Sequence, residues 1–159
     1  MIHKATGYWI EVAGPQPEMP VLEGELDFDV IVVGGGFTGL WSALHLKRAE
    51  PDLKVGLIES HRIGHGPSGR NGGFVDAMWV SFASLVARYG DRPALDLARA
   101  SERSVAQVGE FLDEHGVDAW YRPSGYLNVS TAAAWDSSWD RNLKAMRGAG
   151  IIDGPRELS

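Results

Sequence analysis

The feature that most constrains this fold is a strand-like apolar segment that runs directly into closely spaced glycines. Residues 28–33 (FDVIVV) are apolar except for one aspartate, as is typical of a parallel strand buried on both faces. Residues 37–50 then repeat apolar positions with a helical spacing, and Pro51 follows. A second apolar segment, residues 54–59 (KVGLIE), completes a unit of about 30 residues, the usual size of a strand–helix–strand crossover. We therefore predict an α/β fold with a Rossmann-like βαβ unit.

The three glycines at the first strand–helix junction have the spacing of a dinucleotide-binding turn. Gly34 permits a tight turn, Gly36 lets the backbone approach a pyrophosphate, and Gly39 lets the helix pack closely on the strand. The helix N-terminus offers free N–H groups and a partial positive charge to the phosphates. Glu59 ends the second strand, where a carboxylate can accept hydrogen bonds from the adenosine ribose hydroxyls. An acidic residue at this position also disfavours the 2′-phosphate of NADP.

A second glycine-rich loop, residues 64–74 (GHGPSGRNGGF), follows the strand that ends in Glu59. Ser68, Arg70 and Asn71 place a hydroxyl, a guanidinium and an amide among five glycines. Such a loop can bring N–H groups and several donors against a large, flat, anionic ligand. Its alternative interpretation is a flexible surface loop. The spacing of the first glycines does not separate NAD from FAD, because both cofactors use the same fingerprint.

Composition and charge exclude several classes of function. The 159-residue chain can bury a sizeable core, and its net charge of −6 argues against nucleic-acid binding. No apolar run reaches the roughly 18 residues of a membrane span, so none is predicted. The chain has no cysteine, which excludes disulfides and thiolate metal sites and suits a cytoplasmic protein. Its five histidines lack ligand spacing, so no metal site is predicted.

Outside the βαβ unit, the sequence predicts an arm and a helix-rich second half. Residues 1–27 contain several prolines and are interpreted as a surface arm. A helix begins at Asp91, has Pro93 near its start and ends at Gly116.

The C-terminal part predicts short strands and one more helix. The strands are expected at residues 119–122 and 125–130, and the helix from Thr131, as its cap, to about residue 147. Four apolar side chains in that helix share one face and predict a core-facing stripe or a docking face for a missing part: Trp135, Trp139, Leu143 and Met146.

Three segments, in this order, resemble the FAD-dependent oxidoreductases of the D-amino-acid oxidase superfamily: DVIVVGGGFTGL, the terminal glutamate of KVGLIES, and IGHGPSGRNGGF. The resemblance is closest to the branch that contains glycine/sarcosine oxidases and gamma-glutamylputrescine oxidoreductase. It implies FAD as the cofactor and an amine or amino acid as the small-molecule substrate. The implied reaction oxidises the C–N bond by hydride transfer to the flavin, and O₂ or another acceptor then reoxidises it.

The resemblance also implies a division of the chain and a set of site residues. Residues 1–27 form the arm, residues 28–80 the FAD-binding unit, and residues 81–159 a helical segment and the beginning of an antiparallel-sheet substrate domain. The glycine turn would lie at the pyrophosphate, Glu59 at the ribose, and the glycine-rich loop along the pyrophosphate and flavin. No catalytic residue is assigned. The expected cofactor-binding residues are Gly34, Gly36, Phe37, Thr38, Gly39, Glu59, Ser60, Arg62, Gly66, Ser68, Gly69, Arg70, Asn71, Gly72 and Gly73.

Members of this family are much longer than this chain, and two strands alone make a poor sheet. We therefore expect an incomplete fold: an N-terminal fragment, a cleavage product, or one piece of a split protein whose remainder acts as a partner. Two alternatives stay open. An NAD-dependent Rossmann enzyme would need further βα units after residue 74, and a non-catalytic subunit would work only with a partner chain.

Overall fold

The computed structural model describes residues 7–158, and the chain divides into two compact units, Met1–Phe74 and Val75–Ser159. The first six residues of the predicted arm and Ser159 lie outside the described residues. Within residues 7–158, no helix is both long and apolar enough to cross a membrane.

The first unit contains the predicted strand–helix–strand arrangement. Strands β1 (Val30–Val33) and β2 (Val55–Ile58) pair in parallel, with Val30 opposite Val55 and Val33 opposite Ile58. Helix α2 (Phe37–Ala49) makes the crossover between them. The prediction of a βαβ unit is therefore confirmed, although both strands are shorter than predicted.

The expectation that the first strand is buried on both faces is wrong. Side chains alternate between the two faces of a strand, and Val32 lies on the face that meets α2 beside Gly39. On the opposite face, Ile31 is 51% exposed and Val33 is 79% exposed. The reason is that α2 covers only one face of this two-stranded sheet.

The predicted surface arm contains a short helix, α1 (Tyr8–Val12), that the sequence analysis missed. The helix ends before Pro15, so the prolines do not interrupt it. Its Ile10 side chain is only 4% exposed, and α1 packs on the 3₁₀ turn Pro67–Gly69. Between α1 and β1 the described residues form no further helix or strand.

The described residues of the second unit form a cluster of three α-helices. Helices α3 (Phe82–Tyr89) and α4 (Asp91–His115) are consecutive, and α5 (Asp140–Gly148) packs against α3. The prediction of α4 and of Gly116 at its C-terminus is confirmed, whereas α3 was not predicted. Six buried side chains of this unit form one core: Trp79, Phe82, Leu85, Ala94, Ala98 and Met146.

Asn142 of α5 joins the chain at the start of α3 by two hydrogen bonds. Its side-chain Oδ1 accepts from the Ala83 N–H at 2.8 Å, and its Nδ2 donates to the Trp79 carbonyl at 2.6 Å. The Ala83 N–H lies in the first turn of α3, where helix geometry leaves N–H groups without an intrahelical acceptor, and the Trp79 carbonyl lies in the 3₁₀ turn Met78–Ser81 just before it. A side chain distant in sequence therefore satisfies this helix end.

The two short strands predicted at residues 119–122 and 125–130 are wrong, because the described residues there form no strand. A strand needs a neighbouring strand to accept and donate its backbone hydrogen bonds, and none pairs with this segment. Its apolar side chains are correspondingly exposed, with Leu127 at 68% and Val129 at 63%.

The last predicted helix begins later than expected. Residues Ala133–Trp135 form a 3₁₀ turn, and α5 begins only at Asp140. The intervening aspartate and serines compete with the helix for backbone hydrogen bonds, whereas an acidic residue favours a helix N-terminus. Thr131 is thus not the cap. Of the predicted apolar stripe, Met146 is buried and Trp135 is exposed, because Trp135 lies outside the helix.

Candidate functional site

The glycine turn follows β1 and lies at the edge of the sheet where both parallel strands have their carboxyl ends. Gly34 has a φ of 106°, a left-handed conformation that favours glycine, and its N–H donates to the Ile58 carbonyl at 2.8 Å. A Cβ added at Gly34 would meet no other group within 4 Å. The turn therefore borders open space, at the edge of the sheet where α/β proteins bind ligands.

Helix α2 packs closely on this turn. A Cβ added at Gly39 would run into the Gly34 carbonyl oxygen, so only glycine allows the helix to lie here. The first N–H of the helix, that of Phe37, donates to the Ser68 hydroxyl at 3.0 Å. The first helical turn of α2, which includes Thr38, has no intrahelical acceptors for its N–H groups and carries a partial positive charge. An oxygen acceptor from the glycine-rich loop thus already lies at this helix N-terminus.

The Glu59 carboxylate accepts hydrogen bonds on both of its oxygens. Oε2 accepts from the Gly35 N–H at 2.8 Å, and Oε1 accepts from the His61 N–H at 3.0 Å and the Ser60 hydroxyl at 3.3 Å. The bond from Gly35, followed by the bond from His61, lowers the pKa of Glu59 from its ordinary value of 4.5. Glu59 therefore presents a negative charge beside the glycine turn at neutral pH.

The polar side chains of the glycine-rich loop organise the loop itself. Asn71 Nδ2 donates to the Ser68 carbonyl at 2.7 Å, and Asn71 Oδ1 accepts from the Gly73 N–H at 2.8 Å. Arg70 Nε donates to the Gly66 carbonyl at 3.4 Å. The amide and guanidinium that the sequence placed among the ligand donors therefore also hold the backbone of the loop.

The predicted site residues fall into two groups in space. The first group lies around the turn and comprises Gly34, Gly36, Phe37, Thr38, Gly39, Glu59, Ser60 and Ser68. The second group follows along the chain and is joined to the first by the hydrogen bond from Asn71 Nδ2 to the Ser68 carbonyl: Arg62, Gly66, Gly69, Arg70, Asn71, Gly72 and Gly73.

Gly35 contributes to the geometry of the turn, although it was not among the predicted site residues. Its N–H binds Glu59, its carbonyl accepts from the Gly64 N–H at 2.9 Å, and it is buried. A Cβ at this position would collide with the Ile63 side chain. The available signal was the unbroken glycine run at residues 34–36, because the fingerprint needs no glycine at its middle position.

The sequence pattern of the family described as "FAD dependent oxidoreductase" matches residues 29–159. The chain belongs to this family. Its cofactor is FAD, so the alternative of an NAD-dependent enzyme is set aside. The predicted resemblance to FAD-dependent oxidoreductases is confirmed.

Two relatives are similar over 89% of this chain. The chain is 34% identical to the probable oxidoreductase OrdL of Rhizobium meliloti, and 33% identical to the gamma-glutamylputrescine oxidoreductase of Escherichia coli. A shorter match, 37% identical over 65 residues, is to an L-2-hydroxyglutarate dehydrogenase of Indibacter alkaliphilus. The chain spans about a third of the length of the first two relatives (33% and 34%). No solved structure matches it.

Proposed function

We propose that the first unit binds the pyrophosphate and adenosine parts of FAD, and that the protein oxidises the C–N bond of an amine or amino acid. The observation that carries this proposal is the position of Glu59. Its charged carboxylate is held at the glycine turn by the Gly35 N–H, close to where the N-terminus of α2 begins. A ribose acceptor and a phosphate-binding helix end are thus neighbours, as a dinucleotide requires.

The residues at the turn fit the pyrophosphate. The Phe37 N–H already donates to an oxygen, that of Ser68, and the space beside Gly34 is open. A phosphate oxygen is a charged acceptor and forms a stronger hydrogen bond with such an N–H than a hydroxyl does. We infer that a phosphate oxygen takes the acceptor position at Phe37 and that the Ser68 hydroxyl then donates to the phosphate.

The Glu59 carboxylate also has capacity for the ribose. Oε2 accepts a hydrogen bond from the Gly35 N–H, and a carboxylate oxygen has two lone pairs. We propose that a ribose hydroxyl donates to this oxygen. The glycine-rich loop would then continue along the pyrophosphate and flavin, as the family resemblance implies.

The substrate class is proposed from the relatives. The Escherichia coli relative is named for gamma-glutamylputrescine, an amine. When bound, FAD supplies the electron acceptor for oxidation of a C–N bond. The described residues of this chain provide a cofactor-binding surface without an assigned acid or base. We therefore expect the 159-residue chain to bind FAD without turning over an amine. Separately, we propose that the protein is cytoplasmic.

The test is a titration of the 159-residue chain with FAD, followed by quenching of flavin fluorescence. We expect saturable binding that Gly36→Ala weakens by roughly tenfold or more, because the added methyl group lies 3.0 Å from the Ser68 hydroxyl, where the pyrophosphate is expected. The matched control is Gly148→Ala, at a position where a Cβ meets nothing within 4 Å. The affinity of Gly148→Ala for FAD should equal that of the wild type.

Glu59→Gln supplies a second variant, and NAD supplies a control ligand. Loss of the charged ribose acceptor should weaken FAD binding as well. A folded wild-type chain that does not bind FAD, or that binds it equally well in both site variants, would overturn the proposed site. Tighter binding of NAD than of FAD would contradict the choice of cofactor.

A further inference from the structure

Helix α1 packs against the glycine-rich loop, and we propose that it is a positioning element for the cofactor site. It holds the loop in the conformation that brings Ser68 to the N-terminus of α2. Helix α1 lies outside the predicted set of site residues, and its role toward the cofactor rests on the proposed function above. All the contacts involved lie within the unit Met1–Phe74.

Two neighbouring side chains of α1 make the contact. The Trp9 indole Nε1 donates to the Asn71 carbonyl at 2.9 Å. Ile10 is 4% exposed, and its Cδ1 would lie 2.7 Å from a Cβ added at Gly69. One face of α1 therefore contacts the loop through both a hydrogen bond and an apolar side chain, and both kinds of contact restrict the loop.

The contact with α1 gives a second reason why two of the predicted cofactor-binding residues are glycines. A methyl group at Gly69 would collide with Ile10, and a methyl group at Gly73 would collide with the Trp9 ring. A Cβ at Gly7, just before α1, would lie 2.8 Å from the Gly69 carbonyl oxygen. The helix thus lies so close to the loop that only glycines fit between them, as expected of a close-packed contact rather than of a mobile arm.

Residues 63–68 connect α1 and the segment after it to the glycine turn through further contacts. Gln16, after α1, donates from Nε2 to the Ile63 carbonyl at 3.3 Å, and the Ile63 side chain packs on Gly35. At the other side, Ser68 accepts from the Phe37 N–H. Helix α1 and the segment after it therefore contact the part of the chain that carries Ile63 and Ser68. Of these two residues, Ile63 touches the glycine turn and Ser68 touches the N-terminus of α2. Loosening α1 should therefore loosen the side of the site where Ser68 accepts the Phe37 N–H.

The test compares two variants of the contact with two matched controls. Ile10→Ala removes the buried side chain, and its control is Val12→Ala in the same helix, where the side chain is 45% exposed. Trp9→Phe removes the indole donor and keeps an aromatic ring, and its control is Trp135→Phe, at a tryptophan that is 64% exposed. Trp9→Phe is the milder change and keeps the test valid if Ile10→Ala fails to fold.

The first measurement is hydrogen–deuterium exchange without FAD, read on peptides covering residues 63–73. We expect exchange in this segment to become on the order of tenfold faster in Ile10→Ala, less so in Trp9→Phe, and to stay unchanged in both controls. Peptides from β1 and β2 serve as an internal reference, because their exchange should not change. Unchanged exchange of residues 63–73 in both contact variants would overturn the proposal.

The second measurement is the affinity for FAD of the same four variants. We expect Ile10→Ala to weaken FAD binding by about tenfold, with both controls equal to the wild type. Faster exchange of the loop with unchanged FAD affinity would overturn the positioning role. A wild-type chain that does not bind FAD would instead overturn the proposed function, and the exchange measured without FAD would still decide whether α1 holds the loop.

Discussion

The carboxylate of Glu59 accepts hydrogen bonds from backbone N–H groups of two segments, at Gly35 in the glycine turn and at His61 two residues after Glu59 itself. Each N–H favours the ionised form, so together they lower the pKa of Glu59. A lowered pKa in the folded state means that the stabilisation is present above the unfolded pKa. That stabilisation is lost as the pH falls through the lowered folded pKa.

Glu59→Gln should therefore destabilise the chain in a pH-dependent way. Glutamine has a single acceptor oxygen, so one of the two N–H groups would face its NH₂ group instead of an acceptor. We expect the difference in free energy of unfolding between wild type and variant to be largest near about pH 7 and to shrink below the ordinary pKa of 4.5. Urea unfolding across this pH range measures it.

The control for this prediction is Glu25→Gln, which changes an exposed carboxylate in the segment between α1 and β1. It should change the free energy of unfolding little at any pH in this range. A difference between wild type and Glu59→Gln that stays constant across the titration would contradict the prediction, because it would show that the charge of Glu59 has no part in the effect.

At the scale of elements, α4 shows how a helix is ended by its own sequence. Gly116 has a left-handed φ of 61°. The Gly116 N–H donates to the Asp113 carbonyl at 3.3 Å, and the Val117 N–H donates to the Leu112 carbonyl at 2.9 Å. These two bonds form a Schellman motif, in which a left-handed residue lets the chain return to the last helical carbonyls.

Gly116→Ala should lower the free energy of unfolding by about 1–2 kcal/mol, because an alanine Cβ crowds the following carbonyl in the left-handed conformation. The space around Gly116 is open, so the cost comes from the backbone rather than from a collision. Gly148→Ala, at the end of α5, is the matched control and should not destabilise the chain. Urea unfolding compares the two variants, and equal stability of both would contradict this account of the helix end.

At the scale of the whole molecule, the sheet exposes apolar side chains on the face that α2 does not cover. Ile31 and Val33 both point there, and each strand of the two-stranded sheet has one edge without a strand neighbour among the described residues. Apolar sheet surfaces and open edges favour association with other chains.

We therefore expect the 159-residue chain to associate as its concentration rises, and Val33→Lys to reduce this association. The charge would lie on the exposed face and at the strand end, where it opposes edge pairing. Ile152→Lys is the control, because Ile152 is 98% exposed in the second unit. Sedimentation velocity over a range of concentrations measures the effect. A wild-type chain that stays monomeric throughout would contradict this expectation.

The parts of the structure that were predictable depend on short-range rules. An apolar run, three glycines and a second apolar run were sufficient for the parallel βαβ unit, because each step is set by neighbouring residues and by the size of a crossover. The end of α4 at Gly116 was predictable for the same reason. The place of Glu59 at the turn also followed from chain position, since parallel strands bring their carboxyl ends to one edge.

The parts that were not predictable depend on contacts between distant segments. The strands predicted at residues 119–122 and 125–130 do not form, because a segment with β-propensity needs a partner strand and none pairs there in the described chain. Helix α1 was missed because five residues do not form a stable helix alone, and its packing on the glycine-rich loop is what supports it. Gly35 escaped notice because its role depends on Ile63, which only the folded chain places against it. Local propensity and spacing therefore specified the glycine turn and the acidic residue beside it, whereas the shape of the loop around them was decided by close packing that no single segment contains.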